Sequence, residues 1–235
     1  DSSTIVALMQ SQSSLPAKTF TIGFNEDGYN EAVHAKAVAA HLGTEHTELY
    51  VSPQQALDVI PRLPMLYDEP FSDSSQIPTF LVSQMTRQYV TVSLSGDGGD
   101  ELFGGYNRYH ITNGLWDKIR RVPLPFRFLG SNVLRTLAPD QWNQLSKWIP
   151  GAGKYADFGG KVHKGAGVLA SQTSDELYLN FVTHWPDPSS IVINGIEHPT
   201  QITEPQFQLD GIVEQMMALD TVSYLTDDIL CKVDR

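Results

Sequence analysis

Residues 90–106 read VTVSLSGDGGDELFGGY and are the most informative stretch of the chain. The first five residues are apolar or β-branched for the most part, which predicts a buried strand. The loop that follows them, residues 95–100, contains three glycines and two aspartates. Glycine lets a backbone approach a ligand closely and turn several N–H groups toward an anion, whereas a carboxylate beside a phosphate usually holds a metal ion. The stretch therefore predicts a strand, a phosphate-facing loop and a metal-binding acid, and the simpler alternative is a strand and turn with solvated acids.

The composition limits the class of protein. The 235 residues are 41% hydrophobic and 18% charged, as expected of a folded globular chain. A net charge of −11 argues against nucleic-acid and anionic-membrane partners, and no apolar run is long enough for a membrane span. Cys231 is the only cysteine, which excludes an internal disulfide and favours a reducing, cytoplasmic location. Neither end resembles a natural terminus, so we expect a fragment of a longer protein.

Helix and strand signals alternate over the first part of the chain. We predict a helix that starts at residues 1–4 (DSST), a strand over 19–24, a helix over 30–42 that Gly43 ends, and a strand over 46–51. Helices over 52–66 and 77–89 precede the strand at 90–94. This order indicates an α/β fold with a parallel sheet. We predict one domain over residues 1–110, and a mainly helical part over 111–235 in which residues 151–167 form a glycine-rich loop.

Three segments are expected to meet at one edge of this sheet. Parallel sheets bind ligands outside the carboxyl ends of their strands. The loop after Leu94 and Gly23 after the Ile22 strand lie at such ends, as does the helix start at Asp1 if a strand precedes it. For the arginines between residues 120 and 135 the alternatives are contact with phosphate and a solvated face, and we expect the solvated face.

The loop and several other segments resemble one known family. SGDGGDELFGGY at residues 95–106 resembles the signature of the asparagine synthase domain of glutamine-hydrolysing asparagine synthetases. These enzymes belong to the ATP pyrophosphatases with an SGGxDSS loop, and residues 1–3 (DSS) resemble the end of that loop. Other similar segments lie at residues 21–24, 29–31, 41–44, 67–70, 225–230 and 232–235. The resemblance implies the parallel sheet with flanking helices of the adenine-nucleotide α-hydrolase-like (HUP) fold, followed by a mainly helical region.

The family implies a two-step reaction that uses ATP and Mg²⁺. The side-chain carboxylate of aspartate attacks the α-phosphorus of ATP, giving β-aspartyl-AMP and pyrophosphate. Ammonia from a separate glutaminase domain then displaces AMP and leaves asparagine. A homodimer is left open.

The resemblance assigns roles to individual residues. Asp97 matches the acid tied to forming the acyl-adenylate, Asp1 and Asp100 match the metal ligands, and Asp68 and Ser75 are assigned to the acceptor substrate. The positions assigned to ATP and pyrophosphate are Ser2, Ser3, Ile22, Gly23, Ser95 and Gly96. The SGG half of the first loop and a basic segment after Arg235 are absent from the sequence. We therefore expect the 235-residue chain to fold but to make little or no asparagine.

Three other functions stay open at this point. One is a related ligase that acts on another carboxylate, as β-lactam-forming, lasso-peptide-forming and polysaccharide-modifying relatives do. Another is a different ATP pyrophosphatase, such as a tRNA-thiolating or citrulline-condensing enzyme, although these lack the SGDGGDELFGGY block. The last is a nucleotide-binding domain without catalysis.

Overall fold

The structure is a computed structural model that describes residues 1–24, 30–67, 70–148, 157–183, 191–196, 198–204 and 206–233. The chain divides into two compact units. The first unit contains Asp1–Asp100 and Tyr224–Arg235, and the second contains Glu101–Ser223. Within the described ranges, no helix is both long and apolar enough to cross a bilayer.

A small parallel sheet lies in the first unit. Strands β1 (Lys18–Phe24) and β2 (Glu45–Val51) pair from Lys18 opposite Glu45 to Phe24 opposite Val51. Helix α2 (Ala32–Leu42) connects them and ends at Gly43, whose φ of 70° is left-handed and suits glycine. These elements confirm the predicted strand–helix–strand order, and in the described part of the chain the sheet has two strands.

Helices flank this sheet. They are α1 (Ser2–Gln12), α3 (Pro53–Val59), α4 (Leu63–Leu66) and α5 (Gln76–Thr86). Ser52 and Gln55 form a capping box at the start of α3, where the sequence predicted the start of a helix. The single helix predicted over 52–66 is interrupted by a 3₁₀ turn, Ile60–Arg62. The interruption coincides with Pro61 and Pro64, which cannot donate backbone hydrogen bonds.

The strand predicted over residues 90–94 is wrong. This segment is not part of the sheet, and Val92 and Leu94 are 76% and 67% exposed. A β-branched run becomes a strand only when a neighbouring strand and a packed face are present, and among the described residues β1 pairs with β2 alone. The structure is therefore mixed α/β with a small parallel sheet, which is coarser than the predicted HUP arrangement.

Three short helical elements remain to be described for the first unit. Helix α6 (Gly99–Phe103) begins in the first unit, at Gly99 and Asp100, and continues into the second unit. A π-helical turn over Leu225–Ile229 leads into α13 (Leu230–Val233), and both belong to the first unit. The core of this unit contains Val51, Val59 and Leu81, packed against Ile22 and Phe24.

The second unit is helical wherever it has regular structure in the described ranges. Its helices are α7 (Asn107–Ile119), α8 (Leu124–Arg135), α9 (Pro139–Leu145), α10 (Phe158–Ala170), α11 (Ser174–Val182) and α12 (Ile212–Val222). One apolar cluster contains Tyr109, Tyr178, Met216 and Leu219. Another contains Ile119, Val168 and Leu177. This composition agrees with the mainly helical region predicted from the sequence.

Two local predictions for this unit are wrong. The loop expected over residues 151–167 is helical from Phe158 onward, and residues 151–156 lie outside the described ranges. Gly159 touches the backbone of Pro139, so the missing side chain lets α10 approach the start of α9. Arg127, expected on a solvated face, is 5% exposed and donates from Nη1 to the carbonyl oxygen of Ser171 at 2.7 Å.

Candidate active site

The start of α1 packs directly against the glycine-rich loop, within the first unit. A Cβ atom added to Gly96 would lie 2.8 Å from the carbonyl carbon of Asp1. A Cβ atom added to Gly99 would lie 2.5 Å from Cγ of Asp1. A side chain at Gly96 would therefore displace the backbone at the start of the helix, and one at Gly99 would displace the Asp1 side chain. The structure thus brings Asp1 and Ser2 next to Gly96 and Gly99, which are far apart in sequence.

The N-terminus of α1 supplies unpaired backbone donors to this junction. The carbonyl of Asp1 accepts hydrogen bonds from the N–H groups of Thr4 and Ile5, at 2.9 and 3.2 Å, so the helix begins there. Asp1 makes no side-chain capping bond. Ser2 and Ser3 are exposed, and their N–H groups belong to the first turn, where a helix has no carbonyl partners to offer. Such a terminus favours a bound anion through these donors and the helix dipole.

The loop itself turns at Gly98. This buried glycine has a φ of 86°, which an L-amino acid with a side chain rarely adopts. A Cβ atom on Gly98 would contact Leu225 at 3.7 Å, so the loop also lies beside the π-helical turn. Ser95 and Asp97 are exposed, whereas Asp100 is half-buried.

The acids of this junction could supply some of the oxygen ligands of a Mg²⁺ ion but not all of them. Among the described residues, no group of three or more His, Cys, Asp or Glu side chains could hold a metal ion. Mg²⁺ at nucleotide sites is commonly held by one or two carboxylates together with phosphate oxygens. The carboxyl group of Asp1 lies against Gly99, the residue before Asp100. This donor chemistry fits Mg²⁺ provided that phosphate oxygens complete the coordination.

Ile22 and Gly23 lie at the end of β1. Ile22 packs into the core around Val51, and its side chain is half-buried. Gly23 is buried, and a Cβ atom there would lie 2.8 Å from Cε1 of Tyr50 and 3.0 Å from Cβ of Ala32. The glycine is thus required by the packing of Tyr50 in β2. The adenine-contacting role assigned to these two residues stays a prediction.

Ser75 belongs to a second polar cluster in the same unit. Its backbone N–H donates to Oδ1 of Asp73 at 2.9 Å, and its hydroxyl donates to the other carboxylate oxygen. The ammonium of Lys232 in α13 also donates to Asp73 and lies 3.4 Å from Oδ1 of Asp228. Lys232 is 7% exposed. Asp68, the other residue assigned to the acceptor, lies outside the described residues.

The charged groups of this cluster shift one another's pKa values. Burial raises the pKa of the Asp73 carboxyl, but hydrogen bonds from Lys232 and Ser75 outweigh burial and bring the pKa down to about 2. Burial raises the pKa of Asp228, and the hydrogen bond and charge of Asp73 raise it further. Burial lowers the pKa of Lys232, but the hydrogen bond and charge of Asp73 reverse this and leave the pKa raised. Lys232 and Asp73 are therefore a charged pair at neutral pH.

The sequence did not reveal this cluster. Asp73 lies between Ser72 and Ser74 in a loop, and Lys232 was visible only as part of a family-like segment. The two residues are 159 positions apart. No local pattern pairs an acid with a lysine at that distance.

Glu101, the residue after the loop, is a buried acid and the first residue of the second unit. Glu101 is 1% exposed, and its Oε1 accepts a hydrogen bond from the hydroxyl of Tyr106 at 2.7 Å. The guanidinium of Arg108 lies 4.0 Å from the centre of the Tyr106 ring, and Nη2 of Arg108 is 2.5 Å from Oδ2 of Asp220. These contacts hold the ELFGGY half of the motif to α7 and α12, and sequence reasoning assigned none of them.

Comparison with known proteins decides the family. The sequence model of the asparagine synthase family matches residues 1–235, the whole chain. The chain belongs to the asparagine synthase family. The resemblance that the SGDGGDELFGGY motif indicated is therefore confirmed.

Several curated relatives of this asparagine synthase family chain are named glutamine-hydrolysing asparagine synthetases. It is 42% identical over 134 residues to a putative glutamine-hydrolysing asparagine synthetase 2 of Methanocaldococcus jannaschii, covering 57% of the chain and 26% of the relative. It is 42% identical over 106 residues to glutamine-hydrolysing asparagine synthetase 1 of Bacillus subtilis, covering 45% and 17%. A putative glutamine-hydrolysing asparagine synthetase of Mycobacterium tuberculosis is 29% identical over 226 residues, covering 92% and 31%.

The asparagine synthase family chain thus spans between 17% and 31% of the length of these relatives. No solved structure matches it.

Proposed function

We propose that the protein carrying this chain is an ATP-dependent carbon–nitrogen ligase that makes asparagine from aspartate with glutamine as the amide donor. The observation that carries the proposal is the family match over all 235 residues. The names of the curated relatives support the same activity. The close packing of the α1 start on the loop supports a phosphate-binding junction in this chain.

The proposed reaction has two steps. A side-chain carboxylate oxygen of aspartate bonds to the α-phosphorus of ATP, and the bond from that phosphorus to the bridging oxygen of pyrophosphate breaks. Ammonia then attacks the acyl carbon, and AMP leaves with the electrons of the acyl–oxygen bond. Holding the carboxylate and ATP together removes much of the entropic barrier of the first step.

The junction of α1 and the loop is assigned to the phosphates. The N–H groups and hydroxyls of Ser2 and Ser3 would bind pyrophosphate, since a helix N-terminus stabilises negative charge that develops on a leaving group. Ser95 and Gly96 would contact ATP from the facing side. Asp97, which is exposed, would act where the acyl-adenylate forms.

Two further assignments concern the metal and the adenine. Asp1 and Asp100 would hold Mg²⁺, which when bound neutralises phosphate charge. Ile22 and Gly23 would contact adenine at the end of β1.

The remaining assignments concern the acceptor and the ammonia. Ser75 and Asp68 would lie on the aspartate side, where the ion pair of Asp73 and Lys232 fixes the loop that carries Ser75. A glutaminase domain would supply ammonia. We place the reaction in the cytoplasm.

The test is ATP–pyrophosphate exchange, measured on the full natural protein with aspartate and with other carboxylic acids as separate additions. The proposal expects exchange that needs aspartate and is lost in Asp97→Asn. If a different acid stimulates the exchange, that acid and not aspartate is the substrate. ATP binding without any exchange, under conditions where the protein is folded, would overturn the ligase assignment.

A further inference from the structure

Lys232 is a buried cation in the first unit to which the proposed reaction gives no chemical role. It lies in α13, and its ammonium donates to Asp73 and is 3.4 Å from Oδ1 of Asp228. Asp73 in turn accepts two hydrogen bonds from Ser75, one from the backbone N–H at 2.9 Å and one from the hydroxyl. A single carboxylate therefore connects Lys232 to Ser75, a residue assigned to the acceptor substrate.

The charge of Asp73 fixes the direction of its hydrogen bond with the Ser75 hydroxyl. Burial raises the pKa of Asp73, but hydrogen bonds from Lys232 and Ser75 bring the pKa down to about 2. The carboxylate is therefore ionised at neutral pH, and an ionised carboxylate only accepts hydrogen bonds. It follows that the hydrogen of the Ser75 hydroxyl points to Asp73.

The hydroxyl oxygen of Ser75 is left as an acceptor. A serine hydroxyl has one hydrogen and two lone pairs. In the part of the chain that the structure describes, no group donates to Oγ of Ser75. The residue is half-buried, so it keeps part of its surface exposed. A ligand that bonds to this oxygen must therefore supply the donor.

We propose that Lys232 is a positioning residue for the acceptor substrate: through Asp73 it orients the Ser75 hydroxyl so that its oxygen accepts a hydrogen bond from the α-ammonium group of aspartate. The inference rests on the proposed function, which assigns Ser75 to the acceptor. Aspartate at neutral pH carries two carboxylates, which only accept, and one ammonium group, which only donates. The ammonium is therefore the group that Ser75 binds, and the side-chain carboxylate stays free to attack ATP.

Lys232 matters for this orientation because a second acid lies beside Asp73. The pKa of Asp228 is raised by burial, and the hydrogen bond and charge of Asp73 raise it further. Two close carboxyl groups without a cation hold a proton between them. Without the Lys232 ammonium, Asp73 would carry that proton for part of the time and donate it to Ser75. The Ser75 hydrogen would then point to the ligand and repel an ammonium group.

ATP–pyrophosphate exchange by the full natural protein tests the inference, with aspartate as substrate and succinate as a competing acid. Succinate has the same two carboxylates and lacks the ammonium group. In Lys232→Met and in Ser75→Ala, the aspartate concentration for half-maximal exchange should rise about ten-fold, as loss of a hydrogen bond to a charged group predicts. The ATP concentration for half-maximal exchange and the inhibition constant of succinate should stay unchanged, which a general loss of structure would not produce.

Further variants separate positioning from folding, which circular dichroism follows. Ser75→Ala leaves the ion pair in place and tests the contact by itself. If Lys232→Met does not fold, the double variant Asp73→Asn with Lys232→Met replaces it, because it leaves no unpaired charge buried, and the same rise is expected. Ser74→Ala and Lys18→Met are the matched controls, at exposed positions outside the cluster, and should behave like the natural protein.

The outcomes distinguish this inference from the proposed function. Aspartate-dependent exchange in the natural protein, with an unchanged aspartate requirement in Ser75→Ala or in the folded Lys232 variant, would overturn the positioning role alone. An equal rise in the succinate inhibition constant would do the same, since the ammonium group would then play no part. A natural protein without aspartate-dependent exchange would overturn the proposed function and this inference with it.

Discussion

Tyr109 donates a hydrogen bond to Asp220 in the interior of the second unit, with 2.6 Å between the phenol oxygen and Oδ2. The hydroxyl of Tyr178 donates to the other carboxylate oxygen, and Arg108 pairs with the same acid at 2.5 Å. Both tyrosine side chains are fully buried, and Asp220 is 3% exposed. One carboxylate therefore ties α7 and α11 to α12.

Replacing this carboxylate should destabilise the second unit more than removing any one donor. Asp220→Asn keeps the shape of the side chain but removes the charge that Arg108 and both tyrosines face. We expect a loss of about 3–5 kcal/mol in the free energy of unfolding, the range for breaking a buried ion pair. Urea denaturation followed by circular dichroism measures it. Tyr109→Phe and Tyr178→Phe, which each remove one donor, should cost about 1.5–3 kcal/mol, and an Asp220→Asn cost below either value would contradict this account.

The ion pair of Asp73 and Lys232 should make the stability of the first unit depend on pH. The folded-state pKa of Asp73 is about 2, below the ordinary value of 3.8. A lowered pKa means that the carboxylate stabilises the fold above pH 3.8 and that this contribution disappears as the pH falls through about 2. The stability difference between the natural chain and Asp73→Asn should therefore be largest near neutral pH and shrink between about pH 4 and pH 2.

The neighbouring acid provides the control for this pH dependence. The pKa of Asp228 is raised, so its contribution has the opposite sign: it is fully present below the ordinary pKa and is lost as the pH rises through the folded value. Asp228→Asn should therefore be closest to the natural chain in stability, or more stable, at neutral pH. Parallel pH profiles for Asp73→Asn and Asp228→Asn would contradict the assigned directions.

Gly96 should not tolerate even a methyl group. In Gly96→Ala the new Cβ would meet the backbone of Asp1 and Ser2, which cannot move without unwinding the start of α1. We expect a loss of stability of about 1–3 kcal/mol, typical of overpacking, and a loss of ATP–pyrophosphate exchange in the full natural protein. Gly114→Ala is the matched control because nothing lies within 4 Å of its Cβ position and it is in a helix. Gly114→Ala should be neutral or stabilising, by up to about 1 kcal/mol.

Asp100 should determine the need for Mg²⁺ if the proposed metal role is correct. In Asp100→Asn, one carboxylate ligand is replaced by a neutral amide, so the Mg²⁺ concentration for half-maximal exchange should rise about ten-fold or more. Asp117→Asn, at an exposed acid that pairs with Arg120, should leave the Mg²⁺ dependence unchanged. An unchanged Mg²⁺ requirement in Asp100→Asn, with folding intact, would remove this residue from the metal site.

Features with a local cause could be predicted from the sequence. The helix start at Ser52 and Pro53 and the left-handed turn at Gly43 each depend on a few neighbouring residues. The family motif also located the loop that meets α1. In these cases neighbouring residues determine the local backbone conformation.

Features that depend on distant partners could not be predicted in the same way. Residues 90–94 have the composition of a strand, but a strand also needs a neighbour. The glycines of α10 suggested a loop, whereas one of them, Gly159, permits close packing on Pro139. The burial of Lys232 depends on an acid 159 residues away. Packing partners of this kind are not encoded in any single window of sequence.

The exposed segment at residues 90–94 has a practical consequence. An exposed, apolar, β-branched run that belongs to no sheet can pair with the same run in another molecule. The exposed side chains of Val92 and Leu94 would form the apolar part of such a contact. We therefore expect the 235-residue chain to aggregate as its concentration rises, and Val92→Lys to keep it in solution by adding charge to that edge.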